Sequence, residues 1–346
     1  METKMWKVDN YVDKSENNPQ ISQAAQLLKK GEVVAFPTET VYGLGADATC
    51  DEAVEKIFKA KGRPSDNPLI VHIAEREQLP MLVEQIGHHA EILMERFWPG
   101  PLTLIFKKKE GLSKLVTAGL DTVAVRMPDH PVAYSLIKES GLPIAAPSAN
   151  TSGKPSPTQA DHVKRDLYGK IAGIVDGGET GVGLESTVVD CSEAIPVILR
   201  PGGITMEQLE DAVGEVRLDA ALANEKETPK SPGMKYTHYA PSAPLTLVKG
   251  HRSFIQKQID EAQEKGLQVG VLTTEENKSF YQADHVETVG TAAQLETVAS
   301  KLYEALRNFD DYHVDVIFGE VFPEEGIGQA IMNRLMKAAG HRIIVE

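Results

Sequence analysis

Only two cysteines, Cys50 and Cys191, occur among 346 residues. That excludes a disulfide framework and a cysteine-based zinc site, and it fits a reducing compartment. No apolar run approaches the roughly 20 residues needed to cross a bilayer. The leading METKMWKVDNYVDKSENN has no apolar signal core, so the expectation is a cytoplasmic protein with no membrane partner. A basic surplus is also missing. The 36 Lys and Arg face 50 Asp and Glu, a net charge of −14, and residues 245–346 hold 10 of the basic and 16 of the acidic side chains. Neither part has the charge of a nucleic-acid binder. There is no G-x-x-x-x-G-K-[ST], no H-E-x-x-H and no G-x-S-x-G, so P-loop, zinc-peptidase and α/β-hydrolase readings have no anchor.

What is present is most informative at residues 144–158, IAAPSANTSGKPSPT. An apolar run stops at Pro147 and meets a loop carrying Ser148, Asn150, Thr151, Ser152, Lys154 and Ser156. A buried strand feeding a polar loop is where α/β folds hold ligands. Without Cys, His or carboxylate before Asp161, the loop suits a polar, phosphorylated ligand better than nucleophilic attack. A solvated Ser/Pro turn cluster would read the same way.

Length allows two domains. Helical spacing or stop signals predict helices at 22–30, 51–61, 78–86, 88–97, 132–139, 159–168 and 206–213. Apolar runs predict strands at 33–38, 68–73, 102–107, 122–127, 144–146, 173–175, 186–191 and 197–199. The stretch 220–244 is polar and proline-rich without periodicity, and reads as a linker. Beyond it, strands at 245–248, 268–272, 285–288, 314–318 and 342–345 alternate with helices at 254–265, 292–308 and 328–339. That pattern argues for a small three-layer α/β domain.

Residues 43–48, GLGADA, match the dinucleotide pattern G-x-G-x-x-A. However, polar ETVY separates them from the preceding strand, and the following helix begins near Asp51, so its amides cannot meet a pyrophosphate held at the glycines. In KGRPSDNP, Lys61 and Arg63 flank the glycine that releases a helix, and can face one anion or simply solvate a helix end. His72 lies inside LIVHIA, the setting of a satisfied core histidine more often than of a ligand. Arg126, inside TVAVRMP, needs an anionic partner, either an internal carboxylate or a substrate's.

Taken together, PTETVYGLGADA, KGRPSDNPL, DTVAVRMPDHP, PSANTSGKPSPT, GLESTVVD, LRPG and SPGMKYTHYAP resemble the threonylcarbamoyl-adenylate synthase family, a YrdC-like domain carrying an additional C-terminal domain. The resemblance implies a twisted, mixed α/β sheet at 1–217, a linker or lid at 218–244 and a small Rossmann-like three-layer α/β domain at 245–346. It implies synthesis of L-threonylcarbamoyl-adenylate from L-threonine, bicarbonate and ATP, with release of pyrophosphate. Magnesium would be carried by ATP, with no direct protein ligands and no organic cofactor. The product would pass to the tRNA threonylcarbamoyl-transfer machinery, without stable tRNA binding by this chain.

Carried onto matching positions, Lys61, Arg63, Ser65, Asn67, Thr122, Ser148, Asn150, Ser156, Arg200 and Tyr239 would bind ATP, Lys61 and Arg63 acting in catalysis. Thr38, His72, Arg126, Ala146 and Ser186 would hold L-threonine, and Tyr236 with Tyr239 would form the lid. Phosphoryl-type transfer needs alignment and charge neutralisation more than a covalent nucleophile, so the lack of an obvious general base fits. The rivals are a nucleic-acid-binding module, which the net charge of −14 disfavours, an enzyme adenylating another amino acid or carboxylate, and a dinucleotide-dependent oxidoreductase.

Overall fold

The computed structural model describes residues 2–8, 18–223 and 238–346. Two compact units form: one of 1–152, 157–181 and 185–235, the other of 153–156, 182–184 and 236–346. The expected lid residue Tyr236 lies outside the described residues.

In the first unit the order is β1 (Lys4–Lys7), α1 (Pro19–Lys29), β2 (Val34–Phe36), β3 (Gly43–Asp47), α2 (Asp51–Lys61), β4 (Ile70–His72), α3 (His88–Phe97), β5 (Leu102–Lys107), α4 (Lys114–Thr117), β6 (Thr122–Arg126), α5 (Pro131–Ser140) and β7 (Ile144–Ala145). Then come α6 (Ala160–Leu167), β8 (Gly173–Asp176), β9 (Thr187–Asp190), β10 (Val197–Arg200), α7 (Met206–Val213), β11 (Arg217–Leu218) and α8 (Ala220–Ala223). The sheet runs β1-β8-β2-β3-β7-β4-β6-β5-β9-β10-β11 with mixed directions.

Alternation along the strands builds two faces. Val71, Leu104, Val125 and Val189 join α2, α3, α6 and α7 in the main core. Over the β2, β3 and β7 part of the other face, α1 and α5 pack Leu28 and Leu136 against Phe36 and Ile144. Further along that face Ile70, Ala124, Ile105, Val188 and Leu199 form a separate cluster of strand residues alone.

Several local expectations shift for identifiable reasons. The first helix starts at Pro19, not at Ser22, because Asn18 Oδ1 accepts from the amides of Gln20 and Ile21 at 2.9 and 3.4 Å and proline suits the first helical position. The expected helix at 78–86 is instead a short 3-10 turn, Arg76–Met81, broken by Pro80. GLGAD is a strand. A Cβ at Gly45 would stand 2.7 Å from Phe36 Cε1 and 2.8 Å from Ile144 Cγ2, so this glycine is required by sheet packing.

The second unit holds β12 (Leu245–Lys249), α9 (Arg252–Glu264), β13 (Val269–Thr273), β14 (His285–Thr288), α10 (Leu295–Tyr312), β15 (Val316–Glu320), α11 (Gly328–Ala338) and β16 (Ile343–Val345). All five strands are parallel, in the order β14-β13-β15-β12-β16. Helix α9 packs Ile255 and Ile259 on Val248, Val269 and Val271, while Phe309 of α10 lies against Gly270 on the opposite face. This is the expected three-layer α/β domain. At the carboxyl end of β15 the Glu320 carboxylate accepts from Tyr281 Oη at 2.7 Å, Asn277 Nδ2 at 2.8 Å and the Thr274 amide at 3.2 Å.

Candidate functional site

Sheet register creates the site. His72 of β4 lies opposite Arg126 of β6, Arg126 opposite Thr103 of β5, and Thr103 opposite Val188 of β9. A bulge between Ile198 and Arg200 brings Arg200 of β10 opposite Val188 as well. Directly opposed residues share a face, so residues far apart in sequence form one row. The row lies at the carboxyl ends of β4, β6 and β10, the edge where α/β sheets receive ligands.

Arg126 is 4% exposed. Its Nε donates to Gly100 O at 3.2 Å, Nη1 donates to Thr40 Oγ1 at 2.8 Å, and Nη2 pairs with Glu39 Oε1 at 2.6 Å. The partner required by a buried arginine is therefore an internal carboxylate. Thr38 Oγ1 donates to Val41 O at 2.6 Å, so in its 2.9 Å contact with Thr40 it is the acceptor. Thr40 in turn keeps a lone pair for Arg126, and the hydroxyl chain fixes the guanidinium on the β2–β3 loop.

His72 Nδ1 lies 3.2 Å from Ile70 O, and the ring meets Phe36 edge-on at 6.4 Å. Burial, reinforced by Arg126, pushes its pKa down to about 3. His130 caps α5 by accepting from the Val132 amide at 3.2 Å, and burial lowers its pKa to about 4 despite the opposing charge of Glu39. Both rings are neutral near pH 7.

Ser186 is clamped from two sides. Its Oγ lies 2.7 Å from Thr103 Oγ1, and Arg200 donates to Ser186 O from Nε at 3.1 Å and Nη2 at 2.9 Å, and to Ser186 Oγ at 3.2 Å. Ala146 donates its amide to Ile70 O at 2.9 Å, beside the same strand.

The two polar loops also meet. Lys61, at the last turn of α2 and 2% exposed, donates from Nζ to Ser148 O at 2.5 Å, Asn150 O at 2.6 Å and Asn150 Oδ1 at 3.3 Å. Ser152 N returns a bond to Lys61 O at 2.9 Å, and Ser148 Oγ donates to Asn150 Oδ1 at 2.6 Å. Next to them Asn67 is 2% exposed, and its Nδ2 makes no hydrogen bond. Half-buried Arg63 reaches Asn67 O and Pro68 O at 3.4 and 3.5 Å, and Ser65 is exposed. Thr122 opens β6 on the same face as Arg126, about 13 Å away by strand rise.

Ser156 and Tyr239 belong to the second unit. Tyr239 stacks on Tyr303 at 5.2 Å, beneath the Arg334 guanidinium at 5.7 Å. Sequence reasoning named neither Glu39 nor Thr103. Glu39 carried a signal, since it sits inside the quoted PTET beside Thr38, whereas Thr103 is one hydroxyl in an apolar strand. A cavity of about 310 Å³ lies at the far end of β5, lined by residues including Gln85, His88, Lys107 and Cys191 and by none of the expected site residues.

Threonylcarbamoyl-AMP synthase from Bacillus subtilis (strain 168) is 62% identical over 345 residues, spanning 99% of this chain and 100% of that protein. The chain belongs to the threonylcarbamoyl-AMP synthase family. The family model for the Sua5, YciO and YrdC proteins, described as telomere recombination, matches residues 26–202. The model for the threonylcarbamoyl-AMP synthase C-terminal domain matches 204–340. The threonylcarbamoyl-AMP synthase of Pyrococcus abyssi is 53% identical over 326 residues, covering 93% of this chain and 94% of that one. The crystal structure of P. abyssi Sua5 complexed with L-threonine superposes with a TM-score of 0.94 at 50% identity, covering 99% of this chain and 100% of that one. Like the family, this chain makes L-threonylcarbamoyl-adenylate from L-threonine, bicarbonate and ATP and releases pyrophosphate, the first step of threonylcarbamoyl-adenosine formation in tRNA. The oxidoreductase rival ends here: the glycines that suggested it form β3.

Proposed function

We propose that the row on β4, β6, β5 and β10 holds the amino acid and that the joined KGRPSDNP and PSAN loops hold the nucleotide. Arg126 forks onto the α-carboxylate of L-threonine, with Thr38, neutral His72, Ser186 and the Ala146 backbone around it. A neutral imidazole adds a hydrogen-bonding group without repelling an ammonium. Lys61, Arg63, Ser65 and Asn67 receive the triphosphate, and Ser148, Asn150, Thr122 and Arg200 complete the nucleotide site. Ser156, Tyr239 and the Tyr236–Tyr239 lid are assigned on motif resemblance alone. Magnesium arrives on the triphosphate. Delivery of the product to the tRNA-modifying machinery, and a cytoplasmic setting, belong to the same proposal.

The observation that carries it is the buried contact of Lys61 with Ser148 and Asn150, beside the unpartnered Asn67 Nδ2. An ammonium has three hydrogens, so a phosphate oxygen must displace one acceptor. The 3.3 Å contact to Asn150 Oδ1 is longer than those to Ser148 O and Asn150 O, and Ser148 already donates to that oxygen. An orphaned buried amide donor supplies the second half of an anion receptor.

Chemistry follows from alignment. The threonine amine and bicarbonate give a carbamate and water. A carbamate oxygen then attacks the α-phosphorus, and pyrophosphate leaves as Lys61 and Arg63 offset its charge. In a pyrophosphate-release assay, Arg126→Lys raises the KM for L-threonine at least about tenfold, since bidentate capture is lost, and leaves the KM for ATP near wild type. Equal changes in both would overturn the division of the site.

A further inference from the structure

The amino acid must surrender an ammonium proton before it can attack bicarbonate, and the one imidazole placed around it above, His72, is a weak base because burial and Arg126 hold its pKa down at about 3. Glu39 stands where one is needed. Its side chain is 14% exposed and its Oε1 lies 2.6 Å from Arg126 Nη2. Yet neither Glu39 oxygen nor Arg126 Nη2 makes an aligned hydrogen bond, and all three atoms are buried. Buried polar atoms are ordinarily satisfied, so the pair has the form of an incomplete receptor. The β2–β3 loop that carries Glu39 is fixed by Thr38, which accepts from the amides of Thr40 and Val41 at 3.2 and 3.3 Å.

Charge bookkeeping points the same way. An α-carboxylate and an α-ammonium share one carbon, so their receptors must lie side by side with opposite signs, as Arg126 and Glu39 do. The titratable groups facing the pair are His72 on β4, beside Arg126, and His130 at the start of α5, beside Glu39, and burial holds both neutral. Arg126 and Glu39 together are neutral and a zwitterion adds no net charge, whereas without Glu39 the occupied site would keep a buried, uncompensated cation.

Building on the assignment of Arg126 to the threonine carboxylate, we propose that Glu39 receives the threonine ammonium and acts as the general base that frees the amine. One N–H bond breaks and the proton passes to a Glu39 oxygen. The nitrogen lone pair then forms the N–C bond to bicarbonate. The second N–H proton leaves with a bicarbonate oxygen as water, and the carbamate carries the negative charge that attacks phosphorus. Glu39 returns its proton to solvent before the next turnover.

The test is Glu39→Gln, checked for folding by thermal melting and compared with Glu39→Asp. General-base catalysis contributes about 10²–10⁴-fold, so kcat at neutral pH falls by at least about 10²-fold. The deficit shrinks at alkaline pH, where the free α-amine loses its proton unaided, and Glu39→Asp retains part of the rate. Binding tests the ammonium contact, as the pH dependence of the rate tests the base. Affinity for L-threonine falls in Glu39→Gln, while affinity for 3-hydroxybutanoate, which lacks the α-amine, does not. Wild-type turnover, a pH-independent deficit, or equal loss for both ligands would overturn the proposal. Arg126→Lys run alongside isolates the premise: an unchanged threonine KM there means that the carboxylate assignment has failed.

Discussion

Lys61 Nζ lies 2.5 Å from the carbonyl oxygen of Ser148, a contact 87 residues apart in sequence that joins the end of α2 to the loop after β7. A buried ammonium held by carbonyls is positioned before any ligand arrives. Lys61→Ala should therefore remove turnover by at least about 10²-fold, the scale of one lost oxyanion-type donor, while L-threonine binding by calorimetry stays close to wild type. Equal loss of both would contradict the separation of the two subsites.

Asn67 offers a prediction of opposite sign. Its Nδ2 is buried without a hydrogen bond, so Asn67→Ala removes an unsatisfied donor. Such donors cost about 1–3 kcal/mol. Melting should show the variant as stable as wild type or more so, while the KM for ATP rises. A clear loss of stability would mean that the amide serves the fold.

Acid should unfold the first unit partly through its histidines. His72 and His130 have pKa values of about 3 and about 4 when folded, below the ordinary value of about 6.5. The unfolded chain then binds more protons, so stability is complete above about pH 6.5 and is lost as pH falls toward the folded values. Each group steepens the loss by up to about 1.4 kcal/mol per pH unit. Both tryptophans, Trp6 and Trp98, are in this unit, so urea unfolding followed by fluorescence reads it directly. His72→Gln should flatten the slope by about that amount, and an unchanged slope would show that the imidazole is not held neutral.

Gly45→Ala should destabilise by about 1–3 kcal/mol, the usual cost of overpacking. The new methyl meets Phe36 and Ile144 inside 3 Å. The same unfolding experiment measures it, and no nicotinamide dinucleotide should bind either form. An alanine tolerated without cost would remove the packing explanation for the glycine.

Much of this was visible in the linear sequence wherever the determinant is local. Helix α2 ends at Lys61 because Gly62 takes a left-handed conformation, with φ 62°, and its polar–apolar spacing sets the rest. Strand β5 runs over the expected residues because its apolar run is local too, buried from Leu102 to Phe106 on both faces. Arg126 announced its need for an anion by lying in an apolar strand. Which anion was hidden, because Glu39 comes from a loop 87 residues away and reaches Arg126 only through the order β3-β7-β4-β6. The pairing of Thr103 with Ser186 was hidden likewise, since β5 and β9 are sheet neighbours without being consecutive. GLGAD misled because a short glycine pattern records permission for close approach, and here what approaches is Phe36 and Ile144.

Strand β6 carries Thr122 at one end and Arg126 at the other, on one face. On the proposed assignment these residues touch the nucleotide and the amino acid, so the strand is a ruler. Its rise of about 3.3 Å per residue is fixed by backbone geometry. Hydrogen bonding to β4 and β5 on both sides keeps it from stretching. The molecule it measures is the mixed anhydride itself, from threonyl carboxylate to adenylate, and a substrate of another length would be out of register with one end of the scale.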